Sequence, residues 1–266
     1  MHELRRSERV TFPGSNGNLL SGIIDLPVAT PSNFILFSHC FTCNKDLKAI
    51  VRVSRRLAEH GWGVLRYDFS GLGNSEGDFS KSNFTTNRTD LFAAADFLSY
   101  HHLAPTLLIG HSFGGAASLS CAEEIASARG VVCLAAPSDT QHLANLLIRR
   151  NPDIERVGVG QVDIGGRFFD IDKQMIDDLR AHDLPAWISR LTKPVQIFHS
   201  MVDETLGFEH ALRIFSLVSN RREDQPPSPG ASLITLPNSD HLLTNHPADI
   251  PFIAESIHVW LKRLIA

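Results

Sequence analysis

The sequence predicts an α/β fold, a mostly parallel sheet with helices on both faces. Two observations carry this: short apolar runs rich in β-branched residues recur along the chain, and helical periodicity fills most of the gaps between them. The first two runs, "RVTF" and "NLLSGIIDL", are separated by the turn-rich "PGSNG", which predicts an antiparallel hairpin. "NFILFSH" follows as a third strand, then a helix over 46–60 and the strand "GVLRYD". A helix over 84–100 leads to "TLLIGH", and a helix over 114–128 leads to "VVCLAAP". Strands joined through helices run parallel.

Between Pro137 and Pro194 the rhythm breaks. "VGVGQVDIGGRFFDID" reads as a hairpin turning at Gly165-Gly166, flanked by helical pieces. The expected organisation is therefore a core of 1–137 and 194–266, with 138–193 inserted over the sheet's C-terminal edge as a lid. The core resumes with "PVQIFHS", a helix over 207–219, "ASLITLP" and a helix over 249–264. The connector "NRREDQPPSPG" reads as exposed loop.

A chain of 266 residues can bury a sizeable core. Its net charge of -4, with mixed signs, provides no basic footprint, so nucleic acid is not an expected partner. The Arg5-Arg6 pair reads as a solvated terminus. "MHELRRSERVTF" lacks an apolar segment of signal-peptide type, and no stretch approaches the ~18 apolar residues of a membrane span. The expected compartment is the cytoplasm. Four cysteines without framework spacing, with Cys121 and Cys133 in apolar settings, predict reduced thiols rather than disulfides.

The strongest motif is "LLIGHSFGGAASLS", where Gly110-His111-Ser112-Phe113-Gly114 matches G-x-S-x-G between a predicted strand and a predicted helix. A serine on so sharp a turn needs small neighbours, because a Cβ at either glycine would meet the adjacent strand or helix. Serine is a weak nucleophile and requires a base and a group to orient that base. The expected chain order is Ser, acid, His. Asp203 follows the strand "PVQIFHS" and His241 follows "ASLITLP", each in the loop where that order demands it. Glu204 adjoins the acid but should point elsewhere, Asp240 is expected to settle its loop, and His246 reads as a cap or surface residue.

The loop "SHCFTCNKD" should supply an oxyanion donor, the N–H of Phe41, alongside that of Phe113. Its Cys40-Phe41-Thr42-Cys43 spacing also fits a thioredoxin-like redox motif, although the chain is over twice the usual length of such a domain. No second pair with ligand spacing follows, so a zinc site is not expected. Packing under the loop is the default expectation for both thiols.

Over nearly its whole length the chain resembles the α/β-hydrolase superfamily. The segments "FSHCFTCNKDLKAIVRVSRRLAEHGWGVLRYDFSGLGNSEGDF", "LLIGHSFGGAA", "VDIGGRFFDI" and "DHLLT" look like the hydrolase domain that many bacterial proteins fuse to an OsmC-type domain, absent here. The resemblance implies an α/β-hydrolase fold with an eight-stranded sheet, a Ser112, Asp203, His241 triad, and an oxyanion hole from Phe41 and Phe113. Cys40 stands where many relatives carry glycine. Asp68, in "RYDFSGLGNSEG", is expected to hydrogen-bond the glycine-rich turn rather than to act in chemistry.

The expected activity is cleavage of a carboxylic ester through an acyl-enzyme, without cofactor or metal, on a small-molecule acyl substrate. A thioesterase, another acyl-transfer serine enzyme, or a ligand-binding protein with an idle triad are the alternatives. Leu143, Leu146, Leu147, Ile148, Phe168, Phe169 and Trp187 are candidates either for an acyl pocket or for lid core.

Overall fold

A computed structural model describes residues 5–220 and 227–266; most of the connector "NRREDQPPSPG" lies outside the described residues. In chain order the elements are β1 (Arg5–Pro13), β2 (Leu19–Pro27), β3 (Phe34–Ser38), α1 (Lys48–Glu59), β4 (Gly63–Tyr67), α2 (Phe84–His101), β5 (Pro105–His111), α3 (Phe113–Cys121) and β6 (Gly130–Leu134). There follow α4 (Gln141–Arg150), α5 (Asp153–Arg156), the hairpin β7 (Val159–Ile164) and β8 (Arg167–Asp172), α6 (Lys173–Ala181) and α7 (Leu184–Arg190). The chain ends with β9 (Val195–His199), α8 (Glu209–Ser219), β10 (Ala231–Thr235) and α9 (Asp249–Ile265).

Eight strands form one sheet in the order β1-β2-β4-β3-β5-β6-β9-β10, with β2 antiparallel to both neighbours and every other pair parallel. The parallel strands are apolar on both faces, as a doubly covered sheet requires. Along β3, Ile35 and Phe37 pack toward α1 and α9, against Ile50, Val53, Ile253 and Ile257. Phe34 and Leu36 face the other layer, with Leu91 and Leu98 of α2 and Ala116 and Ala117 of α3. The period of two thus distributes one strand between two cores.

This layering creates the crevice. The chain leaves β3 toward α1 on one face of the sheet and leaves β5, its neighbour, toward α3 on the other. Loops that diverge in this way leave a gap beyond the C-terminal strand ends, the usual ligand position in open α/β sheets. The loops after β3, β5, β9 and β10 all open on that edge.

One element is shorter than its pattern predicts. α3 stops at Cys121 rather than near 128, and 122–128 becomes turns in which Lys193 donates to the Ala122 and Ile125 carbonyls. A lysine from a distant loop satisfies carbonyls that another helical turn would have satisfied. The hairpin of β7 and β8 turns at Gly165 and Gly166, both at positive φ, 63° and 78°. That conformation suits the twist of two-residue hairpin turns and is open to glycine without steric cost.

Candidate active site

Ser112 sits between β5 and α3 at φ 52°, ψ -121°, a conformation that points its side chain out of the sheet edge. Its own N–H donates to the Leu134 carbonyl at 2.8 Å, which fixes the turn on β6. The turn closes only because its flanking residues lack side chains: a Cβ at Gly110 would stand 2.2 Å from the Gly114 carbonyl oxygen, and one at Gly114 2.4 Å from that of His39.

From the loop after β10, His241 Nε2 stands 2.9 Å from Ser112 Oγ, while its Nδ1 stands 2.7 Å from Asp203 Oδ2. A carboxylate can only accept, so Nδ1 carries the ring proton and Nε2 is left to accept from the serine hydroxyl. Asp203 is itself fixed, because Oδ1 accepts from the N–H groups of Thr205 at 2.8 Å and Leu206 at 2.9 Å. Burial pushes the Asp203 carboxyl up, but the His241 hydrogen bond and charge, with those two N–H groups, outweigh it and hold the carboxyl below its usual range. The acid therefore stays charged beside the imidazole.

A second histidine supports the first. His111 Nε2–H donates to the His241 carbonyl at 2.8 Å. Burial, with His241 next in size, pushes the His111 imidazole down to about 3. The ring is thus neutral in the fold and protonatable in the unfolded chain. Its contribution to stability is complete above the unfolded value of 6.5 and is lost as pH falls from there toward 3. The expected result is that urea stability drops by up to about 1.4 kcal/mol per pH unit on account of this proton, and that His111→Gln flattens the drop. Equal slopes in the two proteins would exclude it.

On the opposite wall, Phe41 lies in the loop after β3 and Phe113 opens α3, their rings 5.6 Å apart edge to face. Among the described residues, neither backbone N–H has a hydrogen-bond partner. A cavity of about 360 Å³ adjoins them, bounded by Ser112, His241, the 40–43 turn, and a stripe of α4 formed by Leu143, Leu146, Leu147 and Arg150. Of the apolar candidates named from the sequence, Leu143, Leu146 and Leu147 line this cavity; Ile148, Phe168, Phe169 and Trp187 do not. Trp187 instead lies 4.5 Å from the Arg88 guanidinium, and Phe168 is 68% exposed. His142, Ile164, Thr205, Leu206 and Leu242 also line the cavity. No local pattern marks them, since each faces it only through tertiary packing.

The competitors fall where expected. Glu204 is exposed. Asp240 accepts from the Thr244 and Asn245 N–H groups and so shapes its own loop. His246 pairs with Asp249 at 3.2 Å at the start of α9. Asp68 accepts from the Asn74 N–H at 2.8 Å, and it also binds the buried Lys45 ammonium at 2.7 Å, a pairing the sequence did not suggest. The expectation of four reduced cysteines fails: Cys40 and Cys43 form a disulfide, and Cys121 and Cys133 are free and buried. The bridge exists because residues 40–43 fold as a tight turn that brings the two Cα atoms to 5.3 Å, within the span of a disulfide. Among the described residues, no group of three or more His, Cys, Asp or Glu side chains is placed to hold a metal ion. No helix among them is long and apolar enough to cross a membrane.

Residues 31–157 match the family described as serine aminopeptidase, S33. The mitochondrial palmitoyl-protein thioesterase ABHD10 of Rattus norvegicus is 24% identical over 237 residues, 86% of this chain and 75% of that protein. Est1E of Butyrivibrio proteoclasticus, solved with ferulic acid, shares the fold at a TM-score of 0.79 and 20% identity, covering 96% of this chain and 99% of that one. The esterase domain of a Rhodothermus marinus protein is 35% identical over 97% of this chain and 98% of that domain, with a TM-score of 0.74. With that identity over nearly the full length of both chains, and with this sheet order, the protein belongs to the α/β-hydrolase superfamily.

Proposed function

We propose that this protein is a serine hydrolase that cleaves carboxylic esters through an acyl-enzyme. The observation that carries the reading is the series Ser112, His241, Asp203, joined at 2.9 and 2.7 Å at the mouth of an apolar cavity. His241 Nε2 takes the Ser112 proton as Oγ attacks the ester carbonyl carbon, and Asp203 stabilises the imidazolium that forms. The carbonyl oxygen becomes an oxyanion held by the Phe41 and Phe113 N–H groups, which have no hydrogen-bond partner to give up among the described residues. His241 then protonates the leaving alcohol, activates a water against the acyl-enzyme, and returns the proton to Ser112 as the acid departs.

Segment 138–193 acts in this reading as the lid, with α4 furnishing the acyl wall. A thioester is the second substrate class, favoured by the apolar stripe of α4 and by the similarity to a palmitoyl-protein thioesterase. A cavity of about 360 Å³ is at the small end for ligand sites, so the expected optimum is an acyl chain of intermediate length. Across p-nitrophenyl esters from acetate upward, kcat/KM should rise about fourfold per buried methylene until the cavity is filled, then fall. Leu146→Trp should shift the optimum to shorter chains. A flat profile unaffected by Leu146→Trp would remove α4 from the acyl site, and no turnover of any oxygen ester or thioester would exclude the hydrolase reading.

A further inference from the structure

We infer that the Cys40–Cys43 disulfide positions the Phe41 N–H, so that its reduction by a dithiol lowers turnover while acyl binding persists. The inference rests on the oxyanion role proposed above for Phe41.

Residues 40–43 form a turn closed by the Cys43 N–H, which donates to the Cys40 carbonyl at 3.2 Å. Its third residue, Thr42, stands at φ 60°. Turns with positive φ at that position ordinarily take glycine or asparagine, and a β-branched residue there is an outlier that persists only where its surroundings over-determine it. Thr42 is buried, with its hydroxyl donating to the Phe41 carbonyl at 2.6 Å. Outside the turn the loop is pinned at both ends. Phe69 N–H donates to His39 Nε2 at 3.1 Å, so His39 Nδ1 carries the ring proton and donates to the Cys40 carbonyl at 2.7 Å. Downstream, the Lys45 N–H donates to Asp68 at 2.6 Å. The turn between these anchors is closed by one backbone hydrogen bond and the bridge, with Phe41 inside the ring that the bridge makes. Opening the bridge frees Thr42 to leave its unfavourable φ, and a turn relaxed in this way no longer holds the backbone of Phe41 fixed on the cavity wall it shares with Ser112.

The bridge is also reachable. Both cysteines line the cavity, and Cys43 is half-buried, so a small dithiol approaches through the substrate's own entrance. Cys121 and Cys133 offer no competing thiolate, because burial pushes the Cys121 thiol up to about 11 and the Cys133 thiol higher still. In the reaction one reductant thiolate attacks Cys43 Sγ, and the S–S bond breaks to expel the Cys40 thiolate, which takes a proton. The second reductant thiolate attacks the mixed disulfide and releases Cys43, which is protonated in turn. Two electrons and two protons reach the protein, and the reductant leaves as a cyclic disulfide.

The test compares kcat and KM on a p-nitrophenyl ester for oxidised and dithiothreitol-reduced protein, for the Cys40→Ser/Cys43→Ser double variant, and for Thr42→Gly. Reduction is expected to lower kcat roughly 10- to 100-fold with KM changed less than about twofold, and oxidised dithiothreitol should restore it. The double variant should sit at the reduced level with or without reductant. Thr42→Gly, whatever its oxidised kcat, should lose a smaller share of it on reduction than the parent does, since glycine adopts that φ without strain and opening the bridge then releases none. Equal kcat in both redox states would overturn the proposal, as would a Thr42→Gly variant that falls as far as the parent. A loss of kcat that tracks unfolding, read by tryptophan fluorescence, would make the bridge a staple of the whole domain and overturn it equally. Failure of the underlying triad is recognised separately, by Ser112→Ala retaining activity before any reductant is added.

Discussion

Ser112→Ala is expected to lower turnover of p-nitrophenyl esters by about 10⁴- to 10⁶-fold, with urea stability within about 1 kcal/mol of the parent. In the proposed mechanism the large effect follows from the covalent step: without Oγ no acyl-enzyme would form, and only binding and the two N–H groups would remain to assist attack by water. The small effect on stability follows from the position. Alanine keeps the Cβ, so the cost of φ 52° is the same before and after. Among the described residues, the only side-chain bond lost is that to His241 Nε2, on the wall of the cavity. Asp203→Asn is the companion. An amide that donates to Nδ1 moves the ring proton to Nε2, which can then no longer accept from serine, and a loss of about 10⁴-fold in kcat is expected. Activity of Ser112→Ala above one per cent of the parent would place the nucleophile elsewhere.

The parts of this site that were legible in the sequence share a physical origin: each is tied to a strand end. Ser112 is announced by glycines that a strand–turn–helix junction needs. Asp203 and His241 each follow an apolar run, and the sheet brings them together across 38 and 129 residues of chain. The alternation of apolar runs and helical spans likewise reveals the layers. It does not reveal that β4 lies outside β3, because strand order is decided by which face each crossover helix covers. The features that escaped notice depend on backbone conformation or on distant partners. Cys40 and Cys43 have the same spacing as thiols and as a bridge, and only the turn at Thr42 decides between them. Nothing in the local stretch "CNKD" marks Lys45 for burial, which is set by a carboxylate 23 residues away.

That buried lysine supports the second large effect. Asp68→Ala is expected to lower stability by about 3–5 kcal/mol and to reduce kcat as well. Asp68 is fully buried and Lys45 is 3% exposed. The carboxylate receives the Lys45 ammonium at 2.7 Å, the Lys45 N–H at 2.6 Å and the Asn74 N–H at 2.8 Å. Its removal strands a buried cation and two backbone donors. Asn74 Oδ1 remains 2.9 Å from the ammonium and Asp46 3.5 Å, but Asp46 is half exposed and already pairs with Arg66 at 2.9 Å. The same residue joins the segment after β4 to the loop after β3, so losing it loosens the anchor downstream of Phe41. Lys45→Met added to Asp68→Ala removes the orphan charge and should recover part of the stability, since the desolvation of two ions is no longer required. Recovery should stay incomplete, because each backbone N–H left unsatisfied costs about 1–3 kcal/mol. Urea denaturation of the two single variants and the double measures the coupling directly. If Asp68→Ala costs less than about 1 kcal/mol, or if the double variant is no more stable than Asp68→Ala alone, the buried pair does not hold this loop and the anchoring of Phe41 must be sought on the His39 side of the turn.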